Sequence, residues 1–298
     1  MKILLNLSSM IKYLKNNEID YKLWDNCITT SNNRLIYAFS WYLDIVCDNW
    51  DALIFNNYEA VFPLPKRKKF GIEYIYQPFF CQKLGVFSKK NNFEIDFFIN
   101  SIPDHFKYLE LNINTNSDYY SIRKNSNYEL LLTSNIEKYF TTNTRRNINK
   151  AKDSELTFST SVFIDDHISC FKNYRKFGLK KKDLITYKNL CEYLIKNKRG
   201  MICGVYNSEK EVISSALIAV DNKKIYYLNG ISTSFSKKNG SMHWLIYNIM
   251  KKYPNRIFDF EGSNIEGVAR FYKGFGAVKK IYSTIKVNKL PYFIKWLK

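Results

Sequence analysis

The sequence predicts an α/β protein with two tandem domains, each a mixed, mostly antiparallel sheet flanked by helices. Three observations lead to this prediction. Short strands rich in Tyr, Phe and Ile alternate with helix-period segments, one order of elements occurs twice, and the second occurrence ends in a charged strand followed by a helix. We therefore expect one domain at residues 1–138 and the other at residues 139–298.

Two similar hexapeptides mark the repeat, FSKKNN at 87–92 and FSKKNG at 235–240, and their first residues are 148 positions apart. An aromatic strand precedes each hexapeptide, from Ile72 in one copy and from Lys223 in the other. A helix-like segment and then a strand follow each one. We infer two copies of a strand, strand, strand, helix, strand, helix unit. The first copy has Asn92 in place of Gly240 and lacks the closing helix, so the chemistry is expected in the second.

The elements around the repeat follow from shorter patterns. Two strands joined by a tight polar turn are predicted from Asp51 and again from Met201. A further strand, NYELLLT, covers 127–133 and lies next to the expected domain boundary. The basic helix at 141–152, TTNTRRNINKAK, follows it, with Thr142 or Thr144 as the expected N-cap.

The composition places few limits on function. With 46% hydrophobic residues among 298, the chain can build well-packed cores. Its formal net charge of +19 would attract nucleic acid, an anionic membrane surface or a phosphorylated cofactor. The abundance of Lys over Arg, together with that of Asn, Ile and Tyr, is what a drift toward A/T-rich codons produces, so much of the charge is compositional background. A phosphate-bearing ligand is its expected specific use.

Cysteines and apolar runs indicate an ordinary reducing compartment. The six cysteines contain no CxxC pair, and no histidine lies at ligand spacing from them, so we expect reduced thiols and no metal. Apolar runs are far shorter than the ~20 residues of a membrane span, and the N-terminal apolar region is too short for a signal peptide. A cytoplasmic location is therefore the expectation.

Residues 258–277, FDFEGSNIEGVARFYKGFGA, predict a short strand, a turn and a helix. Strand alternation places Asp259 and Glu261 on one face, where two carboxylates at a cleft would suit proton transfer or ammonium binding. Glu261 is the expected base, and Asp259 is expected to bind substrate, with pairing to a lysine or a backbone N–H as its alternative. Arg270 is expected to bind a carboxylate or phosphate, with a solvated surface role as its alternative.

The loop at 234–242, SFSKKNGSM, leads from a strand into an apolar helix. A glycine-bearing loop at a helix N-terminus offers backbone N–H groups and a positive dipole end to a pyrophosphate. A solvated helix-start loop is the alternative, and His243, at the start of the helix, is expected to pack or cap. The residues expected to hold donor phosphates are Lys237, Lys238, Asn239, Gly240 and Ser241.

The segment at 258–277 resembles the last strand, helix and turn of the GCN5-related acyltransferases, in which a Phe-Tyr-x-x-x-Gly helix follows the strand that opens the acyl-donor cleft. This resemblance implies that Tyr272 protonates the departing thiolate. It also implies that the loop at 237–242 binds coenzyme A like that family's Arg/Gln-x-x-Gly-x-Gly/Ala loop, with Met242 in place of the final small residue. Asn229 lies in the strand expected to flank the donor, and a backbone N–H there would polarise the acyl carbonyl.

The basic helix carries the second resemblance. Its sequence from Arg145 to Ala151, Arg-Arg-Asn-Ile-x-x-Ala, is similar to a helix of the Fem-type peptidyltransferases, which are tandem pairs of the same acyltransferase fold. Fem-type proteins take aminoacyl-tRNA as donor. The resemblance therefore makes tRNA the alternative donor and partner.

The expected function is transfer of an acyl group from acyl-CoA to the amine of a small molecule or peptide, by direct attack in a ternary complex. Two alternatives remain open. One is Fem-type peptidyl transfer from aminoacyl-tRNA, and the other is a non-catalytic binding protein that retains the double fold.

Overall fold

The computed structural model describes residues 10–90, 93–115, 117, 119–174, 180–292 and 295, without the side chain of Lys237. The chain divides into two compact units. Unit 1 contains the chain up to Asn125 together with the segment from Ile281 onward, and unit 2 contains Ser126–Lys280. The predicted domain boundary lies at 138/139. The chain passes between these two units at 125/126 and again at 280/281.

The elements are as follows. The strands are β1 (Ile11–Leu14), β2 (Asn49–Phe55), β3 (Ala60–Lys69), β4 (Ile72–Ile75), β5 (Phe87–Ser88), β6 (Phe106–Ile113), β7 (Ser121–Leu131), β8 (Thr157–Ser159), β9 (Gly200–Tyr206), β10 (Val212–Val220), β11 (Lys224–Ser232), β12 (Ile257–Asp259) and β13 (Val278–Asn288). The helices are α1 (Tyr21–Thr30), α2 (Ser40–Val46), α3 (Ile95–Asn100), α4 (Thr142–Lys152), α5 (Ile164–Tyr174), α6 (Lys181–Lys196), α7 (Ser236–Asn239), α8 (Ser241–Lys251) and α9 (Glu266–Gly274). Short 3-10 helices occur at Asn16–Glu18, Ile36–Ala38 and Ile136–Tyr139.

Unit 1 contains a mixed sheet in the order β1-β2-β3-β4-β6-β13. Strands β1 to β4 pair antiparallel in sequence order, β4 is parallel to β6, and β6 is antiparallel to β13. The strand β5 pairs with β3 beside this path. Its core packs side chains of these strands against α3, with Phe62, Phe98 and Leu111 fully buried.

Unit 2 has the same sheet pattern. Strands β8 to β11 pair antiparallel in sequence order, β11 is parallel to β12, and β12 is antiparallel to residues 129–131 of β7. Among the described strands, the pairings of each unit include a parallel pair, β4 with β6 and β11 with β12, and the last strand of each set, β13 or β7, contains a boundary between the units. These pairings explain why the two boundaries differ from the predicted one. The predicted tandem arrangement of mixed, mostly antiparallel sheets is confirmed.

The hexapeptides that revealed the repeat occupy equivalent places in chain order but differ in conformation. Phe87 and Ser88 form β5, whereas residues 236–239 form the helix α7. Asn91 and Asn92 of the first hexapeptide lie outside the described residues. Sequence similarity therefore located the repeat without predicting the local structure at either copy.

Helix α4 forms in the predicted segment, but its N-cap lies one residue before the first expected candidate. Thr141 is the N-cap, and its hydroxyl accepts a hydrogen bond from the Thr144 N–H at 3.3 Å, so the predicted caps Thr142 and Thr144 are wrong. Ile148 and Ala151 are buried, and Ile148 belongs to the core of unit 2, where α4 packs on α8.

The cysteines are free thiols, four of them buried and two partly exposed. None of the helices within the described ranges combines the length and apolar character that a bilayer crossing requires.

Candidate functional site

A cleft of about 700 Å³ opens in unit 2 where the parallel strands β11 and β12 stop pairing. The paired residues of these two strands run from Lys224 with Ile257 to Tyr226 with Asp259. The cleft is lined by the residues that follow these pairs along the chain, 227–230 after Tyr226 and 260–262 after Asp259. Ligands commonly bind in such openings at the carboxyl ends of parallel strands.

The strand β11 contains a bulge at the cleft. Asn229 pairs with Leu217 and Tyr227 pairs with Ile218, which leaves Leu228 as the extra residue. A bulge takes its extra residue out of the regular hydrogen-bond ladder. Both Leu228 and Asn229 line the cleft, so the predicted donor-flanking strand presents irregular backbone there.

Tyr272 lies on α9 and lines the cleft, with 8% of its surface exposed. Its ring packs on Phe260 with 4.6 Å between ring centroids, and the ring centroid of Tyr128 is 6.0 Å from that of Tyr272. Burial, and then the negative charge of Glu261, raises the pKa of the Tyr272 phenol well above its ordinary value of 10.0. The phenol is therefore protonated at neutral pH and able to donate a proton.

Glu261 also lines the cleft, so the structure brings together the two residues predicted to be catalytic. Its backbone is left-handed, with φ of +62°, and Gly262 follows at +91°. The Glu261 N–H donates a hydrogen bond to Asp259 Oδ1 at 2.9 Å. This turn ends the strand, and Phe260 and Glu261 both reach the cleft.

Asp259 is placed differently from the prediction that it shares the cleft face with Glu261. It is fully buried and is not among the described residues that line the cleft. Strand alternation does not continue past Asp259, because β12 ends there and residue 261 has the left-handed backbone of a turn. The carboxylate lies 3.5 Å from Lys224 Nζ, so its alternative, pairing with a lysine and a backbone N–H, describes the structure.

The predicted phosphate loop borders the cleft through Ser236 and Gly240. Gly240 separates α7 from α8 with φ of +77°, and a side chain there would overlap the carbonyl of Asn147 on α4. Asn239 Oδ1 accepts a hydrogen bond from the Ser241 N–H at 3.1 Å, which fixes the start of α8.

The other predicted loop contacts are less direct. Ser241 is buried, and its hydroxyl lies 2.8 Å from the Ser214 hydroxyl. Lys238 is exposed, and the side chain of Lys237 lies outside the described part of the structure. Arg270 is 79% exposed, has an ion pair with Glu266 at 3.9 Å and is not among the described cleft residues.

Several apolar residues that line the cleft were not among the predicted site residues. Tyr227, Met242, Val268 and Phe271 form part of the cleft lining, and the Tyr227 hydroxyl contacts Met242 Sδ at 3.4 Å. Aromatic and aliphatic side chains at helix and strand spacing carry no signal that separates a cleft wall from a core.

His243 lies at the cleft and packs as expected on aromatic rings. Its ring centroid is 4.7 Å from that of Phe271 and 5.7 Å from that of Phe275. Burial lowers its pKa from 6.5 to about 4, so the imidazole is neutral at pH 7. Among the described residues that line the cleft, Glu261 therefore contributes the formal charge, and none is Lys or Arg.

Solved structures with the same fold exist at low sequence identity. FemX matches with a TM-score of 0.65 and 12% identity over 93% of this chain and 98% of its own. L-PGS from Bacillus licheniformis matches with a TM-score of 0.54 and 11% identity over 93% and 95%. A GCN5-related N-acetyltransferase from Sphaerobacter thermophilus matches with a TM-score of 0.51 and 9% identity over 95% and 96%.

No protein-family profile and no curated protein matches the sequence. The structural matches span nearly the whole chain, and their proteins include both groups that the sequence motifs resemble. The resemblance is thereby confirmed at the level of the fold. The chain is an α/β protein of two compact units that shares the fold of these three solved structures.

Proposed function

We propose that the cleft of unit 2 transfers an acyl group from an activated donor to an amine. The observation that carries this proposal is the meeting of Glu261 and Tyr272 at a cleft between two diverging parallel strands, one of which has a bulge. A carboxylate, a protonated phenol and irregular strand backbone are the groups that direct aminolysis of an ester or thioester requires.

In the proposed reaction the amine nitrogen attacks the carbonyl carbon of the donor. Glu261 binds the ammonium form and accepts one of its protons, and the neutral amine then forms the C–N bond. The second proton, which the nitrogen loses as the amide forms, passes through solvent and replaces the one that Tyr272 donates. A backbone N–H near Leu228 and Asn229 stabilises the oxyanion. The bond from carbon to the leaving sulfur or oxygen then breaks, and Tyr272 supplies the proton to that atom.

The leading donor is acyl-CoA. The start of α8 meets the cleft at Gly240, and the first N–H groups of a helix have no intrahelical acceptors, which favours an anionic phosphate there. Exposed Lys238 adds positive charge beside this loop. Within the described residues, the first unit repeats this strand order without a helix like α9 after β6, so we assign turnover to unit 2.

An aminoacyl-tRNA donor is the second candidate, and one observation favours it. Helix α4 contacts the phosphate loop through Asn147, and its outer face exposes Arg146 and Lys150. These cations would meet a phosphate backbone outside the cleft, whereas the cleft lining itself carries no described Lys or Arg. A protein that retains the fold but binds without turnover is the third candidate.

Two measurements separate these candidates. Calorimetric titration with coenzyme A, acetyl-CoA and a mixed aminoacyl-tRNA pool identifies the donor. Binding of aminoacyl-tRNA together with no binding of coenzyme A or acetyl-CoA would overturn the coenzyme A assignment. Release of coenzyme A from acetyl-CoA in the presence of amino acids and peptides tests turnover. Glu261→Gln should lower the release rate by about 10²-fold or more, while the same substitution at exposed Glu192, which is not among the described cleft residues, should leave it unchanged. Tight donor binding without release, unaffected by Glu261→Gln, would indicate the binding protein.

A further inference from the structure

Three charged side chains lie together next to the turn that carries Glu261, with Asp259 fully buried and Lys224 and Glu129 partly buried. Asp259 of β12 and Glu129 of β7 are direct partners in the antiparallel ladder, so their carboxylates lie side by side on one face of the sheet. Lys224 of β11 contacts both, with Nζ 2.6 Å from Glu129 Oε1 and 3.5 Å from Asp259 Oδ2. Two adjacent carboxylates would repel each other, and the shared ammonium offsets that repulsion.

The two oxygens of Asp259 have separate partners. Oδ2 has the charge contact with Lys224 at 3.5 Å but no hydrogen bond within the described structure. Oδ1 accepts the hydrogen bond from the Glu261 N–H at 2.9 Å. Asp259 therefore connects the side chain of Lys224 to the backbone N–H of Glu261.

The backbone at Glu261 needs such support. Non-glycine residues rarely adopt φ near +62°, and an Asp side chain that accepts the N–H two residues ahead stabilises a tight turn. Without this turn the strand would continue to alternate, and Glu261 would lie on the Asp259 face of the sheet instead of at the cleft with Phe260.

We propose that Asp259, held by Lys224, is a positioning residue that fixes the left-handed turn presenting Glu261 to the cleft. The proposal rests on the proposed function only for the role of Glu261. The position of Asp259 is independent of which donor or acceptor the cleft binds.

The deciding experiment is structural. In a crystal structure of the Asp259→Ala variant, residue 261 should leave the left-handed region and its carboxylate should withdraw from the cleft. In Asp259→Asn the amide oxygen still accepts the N–H, so the turn should persist. A left-handed residue 261 in both variants would overturn the proposal. If Asp259→Ala does not fold, Lys224→Met tests the part of the proposal that concerns Lys224: the Asp259 carboxylate then lacks the cation that holds it, and an unchanged turn would contradict that role of Lys224.

A double-mutant cycle on coenzyme A release from acetyl-CoA adds a functional readout. Asp259→Ala should lower kcat by about 10-fold to 100-fold with little change in the KM for acetyl-CoA, and Asp259→Asn should restore most of it. In a Glu261→Gln background, Asp259→Ala should have little further effect. Equal losses in both backgrounds would contradict action through Glu261, whereas wild-type release by Glu261→Gln alone would instead contradict the proposed function.

Discussion

The hydroxyl of Tyr227 occupies the space that a side chain at Gly230 would need. Tyr227 is buried among Phe258, Phe260 and Tyr272, so its ring has little room to move away. The absence of a side chain at residue 230 therefore determines where Tyr227 lies and how wide the cleft is at β11.

Gly230→Ala should displace Tyr227, break its contact with Met242 and destabilise the protein by about 1–3 kcal/mol, as overpacking does. Gly267→Ala is the matched control, because Gly267 also lines the cleft but has no neighbour within 4 Å of an added methyl group. Since Gly267 is helical, its replacement should be neutral or stabilising by up to about 1 kcal/mol. Urea unfolding of both variants checks the prediction, and equal effects would contradict it.

Gly240→Ala should weaken both the packing of α4 on α8 and phosphate binding. The added methyl group would lie 2.9 Å from the carbonyl carbon of Asn147, and φ of +77° is itself unfavourable for alanine. Gly71→Ala measures the effect of the backbone angle without the steric overlap, because Gly71 has φ of +80° and an added methyl group there would have no neighbour within 4 Å. The midpoint of thermal unfolding should fall further for Gly240→Ala. Coenzyme A affinity, measured by calorimetry, should fall only in that variant.

Tyr272→Phe should lower the rate of coenzyme A release by about 10²-fold with an unchanged KM, because the ring still packs on Phe260 while the proton donor is lost. Tyr128→Phe is the control, since this buried tyrosine contacts Tyr272 but is not among the described cleft residues. Because the pKa of Tyr272 is raised, the alkaline limb of the rate profile should not come from its ionisation. Activity retained in Tyr272→Phe would assign the leaving-group proton to another donor.

His167 should make the protein less stable as the pH falls below neutrality. Its ring nitrogens lie 2.7 Å from the hydroxyls of Ser215 and Tyr187, and burial lowers its pKa from 6.5 to about 4. The unfolded chain therefore binds a proton that the folded chain excludes, so the free energy of unfolding decreases from pH 6.5 toward pH 4. The expected loss by pH 5 is on the order of 2 kcal/mol.

Urea unfolding at pH 7 and pH 5 measures this loss. The difference between the two pH values should shrink in His167→Gln, and His243→Gln gives the second comparison, because the pKa of His243 is also lowered to about 4. An unchanged difference in His167→Gln would assign the acid sensitivity to other groups.

Much of the fold was predictable from sequence because alternation and helical spacing are local properties. The strands from Asp51 and Met201 form as the hairpins β2–β3 and β9–β10, and the same strand order recurs in both units. The boundaries were not predictable in this way. They depend on which strand completes which sheet, and β13 pairs with β6 across a long sequence separation.

The positions of two candidate residues were predictable for a similar reason. Glu261 and Tyr272 follow from a compact motif, and both reach the cleft. Asp259 was misplaced because a single backbone angle at residue 261 cancels strand alternation, and no residue type signals it there. Its partner Lys224 lies 35 positions away in sequence, where only the parallel pairing of β11 and β12 brings it close.

The passage of β13 into the sheet of unit 1 sets an order for folding during synthesis. Unit 2 is one continuous stretch, Ser126–Lys280, so its residues can leave the ribosome and fold together. Unit 1 begins earlier in the chain but has an open edge at β6 until residues 283–288 emerge. The N-terminal unit is thus expected to be the last to finish, and its unpaired edge is the part of the nascent chain most in need of protection from aggregation.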